Sequence, residues 1–371
     1  MQLSYWEYKT WFSDIDFTIV GSGITGLNCA LQLRKNYPRA KIVLLEKGML
    51  PQGASTKNAG FACFGSASEL LSDLRTHTEE EVVHLVRQRW EGIQLLRKNL
   101  GDSIIDFQQH GGYELFLEKS SLYDDCISKL EYLNELLLPV FGKNVFEKRE
   151  SSFGFRSIHK NTIFHTLEGQ LDTGKMMSAL LLKASRDNIL LLNSITVTAY
   201  EEANTKVLIE TDGFNFSTKK LFLATNGFSK RLINEKVRPA RAQVLITKPI
   251  ENLSIKGTFH LDEGYYYFRN IDNRILFGGG RNLNFDEENT FKFGLTDEIQ
   301  ESLEHILKKV ILPNTAHEID RRWSGIMGMG HQKKPIVKQV SENVFCGVRL
   351  GGMGIAIGSI IGKELAELVN K

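Results

Sequence analysis

Residues 15–46 constrain the fold more than any other part of the chain. Ile15–Val20 (I-D-F-T-I-V) reads as a buried strand, an apolar run with a single charge. Gly21, Gly23 and Gly26 follow as G-x-G-x-x-G, with Ile24 and Thr25 between them, at the opening of a helix. The first glycine permits the turn and the second lets backbone approach a pyrophosphate. The third lets helix and strand pack closely, while the helix N-terminus offers amide donors and a positive dipole end. A second strand then ends on Glu46, about 20 residues past Gly26, where a carboxylate grips a ribose hydroxyl pair. This βαβ unit predicts an α/β dinucleotide site. An acid at that position disfavours a 2′-phosphate, and so NADP.

The chain has 371 residues, enough for two sub-domains with substantial cores. A net charge of +2, with no dense basic block beyond Lys333–Lys334, argues against a nucleic-acid partner. Cys29, Cys63, Cys126 and Cys346 are scattered and form no C-x-x-C pair, so neither a disulfide framework nor a metal site is expected. They fit a reducing, cytoplasmic setting. No run reaches about 18 apolar residues, so no integral membrane segment is expected. Trp6, Trp11 and Phe12 precede the first strand and are expected to pack onto the protein's own body.

Beyond the first unit, periodicity predicts helices over 66–100, 121–138, 174–185, 300–307 and 355–369. Strands are expected at 113–117, 190–197, 206–210, 221–224 and 344–346. Three more, at 242–247, 265–269 and 274–278, read as an antiparallel sheet. Without a linker or repeat, the two sub-domains are expected to interleave: 1–75, 155–235 and 320–371 around the cofactor, 76–154 and 236–319 around the substrate.

The loop after the acid, G-A-S-T-K-N-A-G at 53–60, is not needed by a plain NAD site. Here the chain resembles the D-amino-acid oxidase and glycine oxidase superfamily of FAD enzymes, which includes sarcosine and γ-glutamylputrescine oxidases. Four further segments carry the likeness in the same order. These are L-F-L-A-T-N-G at 221–227, R-P-A-R-A-Q at 238–243, W-S-G at 323–325 with Pro335, and R-L-G-G-M-G at 349–354. The resemblance implies a Rossmann-like FAD domain of glutathione-reductase type, interleaved with an α+β substrate domain carrying an antiparallel sheet. It implies that Gly53, Ala54, Ser55, Asn58, Ala59 and Gly60 line the pyrophosphate, ribityl chain and flavin ring. Thr225, Asn226 and Gly227 fall near the adenosine, and Lys47 and Val197 are counted with them. Gly325 falls near the benzenoid ring. Gly351, Gly352, Met353 and Gly354 face the ribityl and pyrimidine end, where amides of the last helix would stabilise the reduced ring. Some relatives attach flavin through cysteine; no cysteine lies near Trp323, and Cys63 reads as a small buried thiol, so noncovalent FAD is expected.

For chemistry, the resemblance implies hydride removal from a C–H bond next to nitrogen in a small amine or amino acid, with oxygen or another acceptor reoxidising the flavin. Glycine oxidase-like members clamp the carboxylate with an arginine where this chain has Met327. Arg349 is the leading replacement, ahead of Arg269 and Arg281. Tyr265 and Tyr267 share one strand face and are candidates to wall the cavity, and His331 is a candidate proton acceptor. Each also has a plain reading: a surface ion pair for Arg349, sheet packing for the tyrosines, an exposed loop for His331. Leu276 stands near the place of a lysine that promotes oxygen reaction in sarcosine oxidase-like members, which favours a different acceptor. Oxidation of a 2-hydroxy acid or glycerol-phosphate and a non-catalytic flavin-binding role are the alternatives. Oxidation of a modified tRNA nucleoside is opposed by the near-neutral charge.

Overall fold

The computed structural model describes residues 2–118 and 120–370. Two eight-stranded sheets organise the chain. In the first, five strands run parallel in the order Val344–Val348, Asn215–Leu223, Ile15–Val20, Ile42–Leu45 and Leu190–Leu192. The central ones are apolar on both faces because helices cover them, as parallel sheets require. Ile336–Ser341 adds an antiparallel edge, and Val197–Ala203 and Lys206–Thr211 form a meander onto Asn215–Leu223.

Helices Ile24–Asn36, Glu79–Leu100 and Gly354–Glu367 pack together beside this sheet, and small residues set their spacing. A Cβ on Gly92 would come 2.0 Å from the Ala356 carbonyl, and one on Gly362 would come 2.5 Å from that of Thr25.

The second sheet runs Ile319–Met329, Arg238–Thr247, Arg274–Gly279, Tyr266–Ile271, Thr258–Leu261, Gly112–Leu115, Asn161–His165 and Phe146–Glu150. All its pairings are antiparallel except Thr258–Leu261 with Gly112–Leu115. One of its faces carries a separate core built on Phe259, Phe268 and Phe277.

Several sequence-based expectations need correction. Asn161–His165 and Ile319–Met329 fall largely in segments assigned to the cofactor side, yet both pair in the second sheet. The helix expected over 66–100 is two, Ala67–Leu74 and Glu79–Leu100, each opened by a complete capping box from Ser66 with Glu69 and from Thr78 with Glu81. The helix expected at 121–138 likewise divides into Leu122–Ser128 and Leu130–Phe141. Of the N-terminal aromatics, only Phe12 packs inward, against Phe214 and Phe216. Trp6 and Trp11 stay 69% and 46% exposed. All four cysteines are buried and free. Among the described residues no helix is long and apolar enough to cross a membrane.

Candidate functional site

A cavity of about 470 Å³ runs between the two sheets, and the glycine turn forms one end of it. Gly21 has φ +105°, and a Cβ there would meet the Ala224 carbonyl at 2.7 Å, so the turn admits no side chain. Gly26 does not line the cavity. It is the packing glycine, with a hypothetical Cβ only 1.9 Å from the Gly21 carbonyl. Glu46 is buried; one oxygen accepts from Ser22 N (3.1 Å) and Ser22 Oγ (2.8 Å), the other from Gly48 N (3.0 Å). The acid therefore clamps the turn as well as bordering the cavity. Lys47 lies over the Phe228 ring at 3.9 Å, and burial together with the Arg231 charge holds its ammonium below the ordinary lysine range. Thr225, Asn226, Gly227 and Val197 border the same end. Asn226 adopts φ +42° and accepts the Leu350 amide at 3.1 Å, tying this turn to the C-terminal one.

The loop 53–60 lies along the cavity and holds its own shape. Ser55 Oγ accepts from the first helical amide, Ile24 N, at 3.0 Å. Asn58 donates to the Ala54 and Ser55 carbonyls and accepts from Gly60 N (2.8 Å) and Thr173 Oγ1 (2.9 Å). Trp323 Nε1 donates to the Lys57 carbonyl at 2.9 Å, and Gly325 leaves room for the Lys57 stem, which a Cβ would meet at 2.8 Å. The W-S-G strand thus braces the loop. Trp323→Phe should cost about 1 kcal/mol, the worth of one neutral hydrogen bond. Thermal unfolding and cofactor retention after dialysis would register the loss together.

The wall opposite comes from the second sheet. Tyr267 and Met327 line it, while Tyr266 and Phe268 point into the core behind, as the period-two alternation requires; Tyr265 reaches the cavity from the turn before strand Tyr266–Ile271 and also packs against that core. Burial pushes the Tyr267 phenol up to about 12, so it remains a neutral hydroxyl at physiological pH, and its ring meets Phe61 edge-on.

The cationic candidates separate by geometry. Arg349 has φ +65° and reaches the cavity, but its Nε donates to the Lys334 carbonyl at 2.8 Å. Each nitrogen of Arg269 donates to a carbonyl, of Ala59, Asn270 or Leu171, and the residue does not line the cavity. Arg281 lines it, stacks on Phe285 at 4.7 Å, and takes part in no ion pair among the described residues. His331 is not brought to the cavity: it sits at the surface against Arg238 Nη2, at 3.0 Å. Leu276 is buried against Ala59 and Val244 and supplies no charge.

The cavity fits a flavin dinucleotide on its own chemistry. Thr25 and Thr225 border it, and their hydroxyls are buried without a protein partner. The positive-φ glycine turn and helix N-terminus beside them are built for close approach of phosphate. The family model described as FAD-dependent oxidoreductase matches residues 16–368. The chain belongs to this family. Glycine oxidase from Bacillus cereus ATCC 14579 has the same fold, with a TM-score of 0.78 at 16% identity over 96% of this chain and 95% of that one. So does iminodiacetate oxidase from Chelativorans sp. BNC1 (0.76, 18%, 95% and 95%). L-proline dehydrogenase from P. horikoshii follows (0.74, 17%, 96% and 93%). No curated protein matches at a significant level.

Two buried charges in this FAD-dependent oxidoreductase were not legible beforehand. His260 lines the cavity beside Phe61, with Nε2 at 2.9 Å from Glu168 Oε2, which also accepts from Thr258 Oγ1 at 2.9 Å. Burial alone would lower the imidazolium, but the Glu168 charge and hydrogen bond outweigh it and raise the group to about 9. Arg89, on Glu79–Leu100, also lines the cavity and is 2% exposed. Neither stands in a motif, and their partners lie far away in sequence.

Proposed function

We propose that this flavoenzyme oxidises the C–H bond next to nitrogen in a small amine or amino acid. The observation that carries this reading is a cavity joining the dinucleotide turn to an apolar, tyrosine-bearing wall, where the one lining histidine among the described residues, His260, is held by Glu168. When bound, FAD would supply the two-electron acceptor for hydride from that C–H bond, and the iminium ion so formed would be hydrolysed by water to a carbonyl and a smaller amine or ammonia. An amine entering with its nitrogen deprotonated needs no base, whereas an alcohol must lose its hydroxyl proton. The histidine bordering the cavity, His260, is held protonated to about 9 and so cannot serve as that base near neutrality. Tyr267 and Tyr265 orient the amine, Phe61 and Met327 exclude water, and Arg281, being unpaired, replaces Arg349 as the group for a substrate carboxylate. The names of the structural neighbours, which act on glycine, iminodiacetate and proline, support this substrate class.

FAD is held noncovalently in this reading. Cys63 borders the cavity, but burial keeps its thiol well above the ordinary cysteine range, and its Sγ lies 3.6 Å from Met353 Sδ. The apolar surroundings of Leu276 favour an acceptor other than oxygen.

Anaerobic mixing of the FAD-loaded protein with a panel of amines and amino acids tests the reading through the visible flavin band. Bleaching by secondary or primary amines, slowed by deuterium on the α-carbon, is expected. Bleaching only by 2-hydroxy acids would overturn it.

A further inference from the structure

Arg89 is among the largest fully buried side chains, yet no described carboxylate pairs with it. A guanidinium carries five N–H donors and keeps its charge throughout the accessible pH range. Its one hydrogen bond among the described residues runs from Nη1 to the Phe64 carbonyl, at 2.6 Å, and Nε is buried with no partner. Gly65, with φ +116°, makes space for it: a Cβ there would come 3.0 Å from Nη1. A buried cation left unpaired costs several kcal/mol. Its position on the cavity wall is where an anion would relieve that cost.

A second feature converges on the same wall. Gly92, three residues on from Arg89 on the same helix face, packs against the Ala356 carbonyl in the first turn of Gly354–Glu367. That helix has fourteen residues, and its N-cap, Met353, offers no side-chain acceptor. The first amide bonded back along it is Ile357 N, to the Met353 carbonyl at 3.0 Å, so the amides before it are the orphan donors of a helix start. Met353, Gly354, Ile355 and Ile357 line the cavity together with Arg89. Glu69 and Glu263 also line the cavity; Glu69 has Oε2 occupied by Ser66 N at 3.1 Å, and neither forms an ion pair with Arg89.

We propose that Arg89 and the first turn of Gly354–Glu367 form one anion site, which takes a negatively charged oxygen. This rests on the reading of the cavity as the flavin and substrate site. The oxygen comes either from the pyrimidine end of FAD once two electrons have reached it, or from a substrate carboxylate. The orphan amides favour the first source, since a helix N-terminus together with a guanidinium suits charge spread over a planar carbonyl system.

Arg89→Met, which keeps much of the length and removes the charge, separates the two. In the FAD-loaded protein, a flavin source predicts that the reduction equilibrium weakens at least tenfold, about 30 mV for a two-electron couple, while acetate binding changes little. A carboxylate source predicts the reverse: at least tenfold weaker acetate binding by calorimetry at an unchanged potential. Either result supports the site. A potential and an acetate affinity both within twofold of wild type would overturn it.

A purely structural arginine would lower the melting temperature of the FAD-free protein when lost. Relief of an unpaired charge predicts that Arg89→Met melts at the same temperature or higher. Should Arg89→Met not fold, Arg89→Lys serves, because a point charge without the planar fork should still shift one of the two quantities at least threefold. If wild-type protein takes up no FAD, the functional reading itself fails. Acetate calorimetry on the FAD-free chain then still tests the anion site.

Discussion

Replacing Glu168 by glutamine is expected to cost on the order of 3 kcal/mol at neutral pH and to change how stability depends on pH. Glu168 is 0% and His260 5% exposed, so neither can turn to water when its partner is lost. Folding raises His260 from an ordinary value of about 6.5 to about 9. At about 1.4 kcal/mol per unit, that rise is worth on the order of 3 kcal/mol. Loss of one partner from a buried pair typically costs about 3–5 kcal/mol, which agrees.

Because the folded value is raised, this stabilisation is complete below about pH 6.5 and is lost as pH rises through about 9. Glu168 is buried too, and burial would raise its carboxyl, but His260 holds it below the ordinary range. Its share is therefore present above the ordinary carboxylate value of about 4.3 and is lost as pH falls through the lower folded value. In Glu168→Gln the imidazole loses its hydrogen-bonded counter-charge, keeps only the weaker influence of Glu69 and Glu114, and is driven toward its neutral form by burial. Urea unfolding at pH 6, 7.5 and 9.5 should show a gap between wild type and variant that is widest at pH 6 and narrows at 9.5. Parallel stability curves across that range would exclude the charged pair.

That pair also shows where sequence reading stops. Gly21, Gly23, Gly26 and Glu46 are legible because their chemistry is local: a strand, a turn and a helix in one stretch can serve only a few ends. The capping boxes Ser66–Glu69 and Thr78–Glu81 carried an equally local signal, four residues each, which marks the break inside 66–100. His260 and Glu168 are 92 residues apart, and each sits in an unremarkable context. Only the parallel pairing of Thr258–Leu261 with Gly112–Leu115, against which Glu168 packs, brings them together.

Arg89 is hidden for another reason. It falls in a helix dense with charges, where an arginine reads as a solvated residue, and its burial depends on Gly92 admitting a second helix. Ile319–Met329 escaped because its arginines and glycines break the apolar alternation. The charged half is partly exposed, and the glycines lie under the loop and turn they brace. Alternation is a local property and separates Tyr267 from Tyr266 and Phe268, but the strand begins only at Tyr266, so Tyr265, in the turn before it, is not placed by that alternation.

Gly26→Ala should be the most damaging single-methyl change in the chain, and Gly53→Ala, in the neighbouring glycine-bearing loop, should be nearly silent for stability. The motif alone gives both glycines a place at the cofactor. Space separates them. At Gly26 the added Cβ would lie 1.9 Å from the Gly21 carbonyl and 3.3 Å from Ile19 Cγ2, both in the strand and turn that the helix must touch. A backbone carbonyl cannot swing aside as a side chain does, so helix Ile24–Asn36 must lift from Ile15–Val20. That shift moves the Ile24 amide away from Ser55 Oγ and opens the turn that Glu46 clamps through Ser22. Overpacking of this kind costs about 1–3 kcal/mol, and the upper end applies where backbone is struck. Because the displaced amides are those that would meet the pyrophosphate, FAD affinity should fall with stability, by at least tenfold. Gly53, by contrast, has φ −68°, with nothing within 4 Å of a Cβ, so alanine is accommodated and slightly restricts the unfolded chain. Its expected effect on the stability of the FAD-free protein is within about 0.5 kcal/mol. Fluorescence titration of each FAD-free variant with FAD, beside its melting temperature, gives the comparison directly. Equal losses of melting temperature in the two variants would mean that helix–strand spacing is not what Gly26 protects.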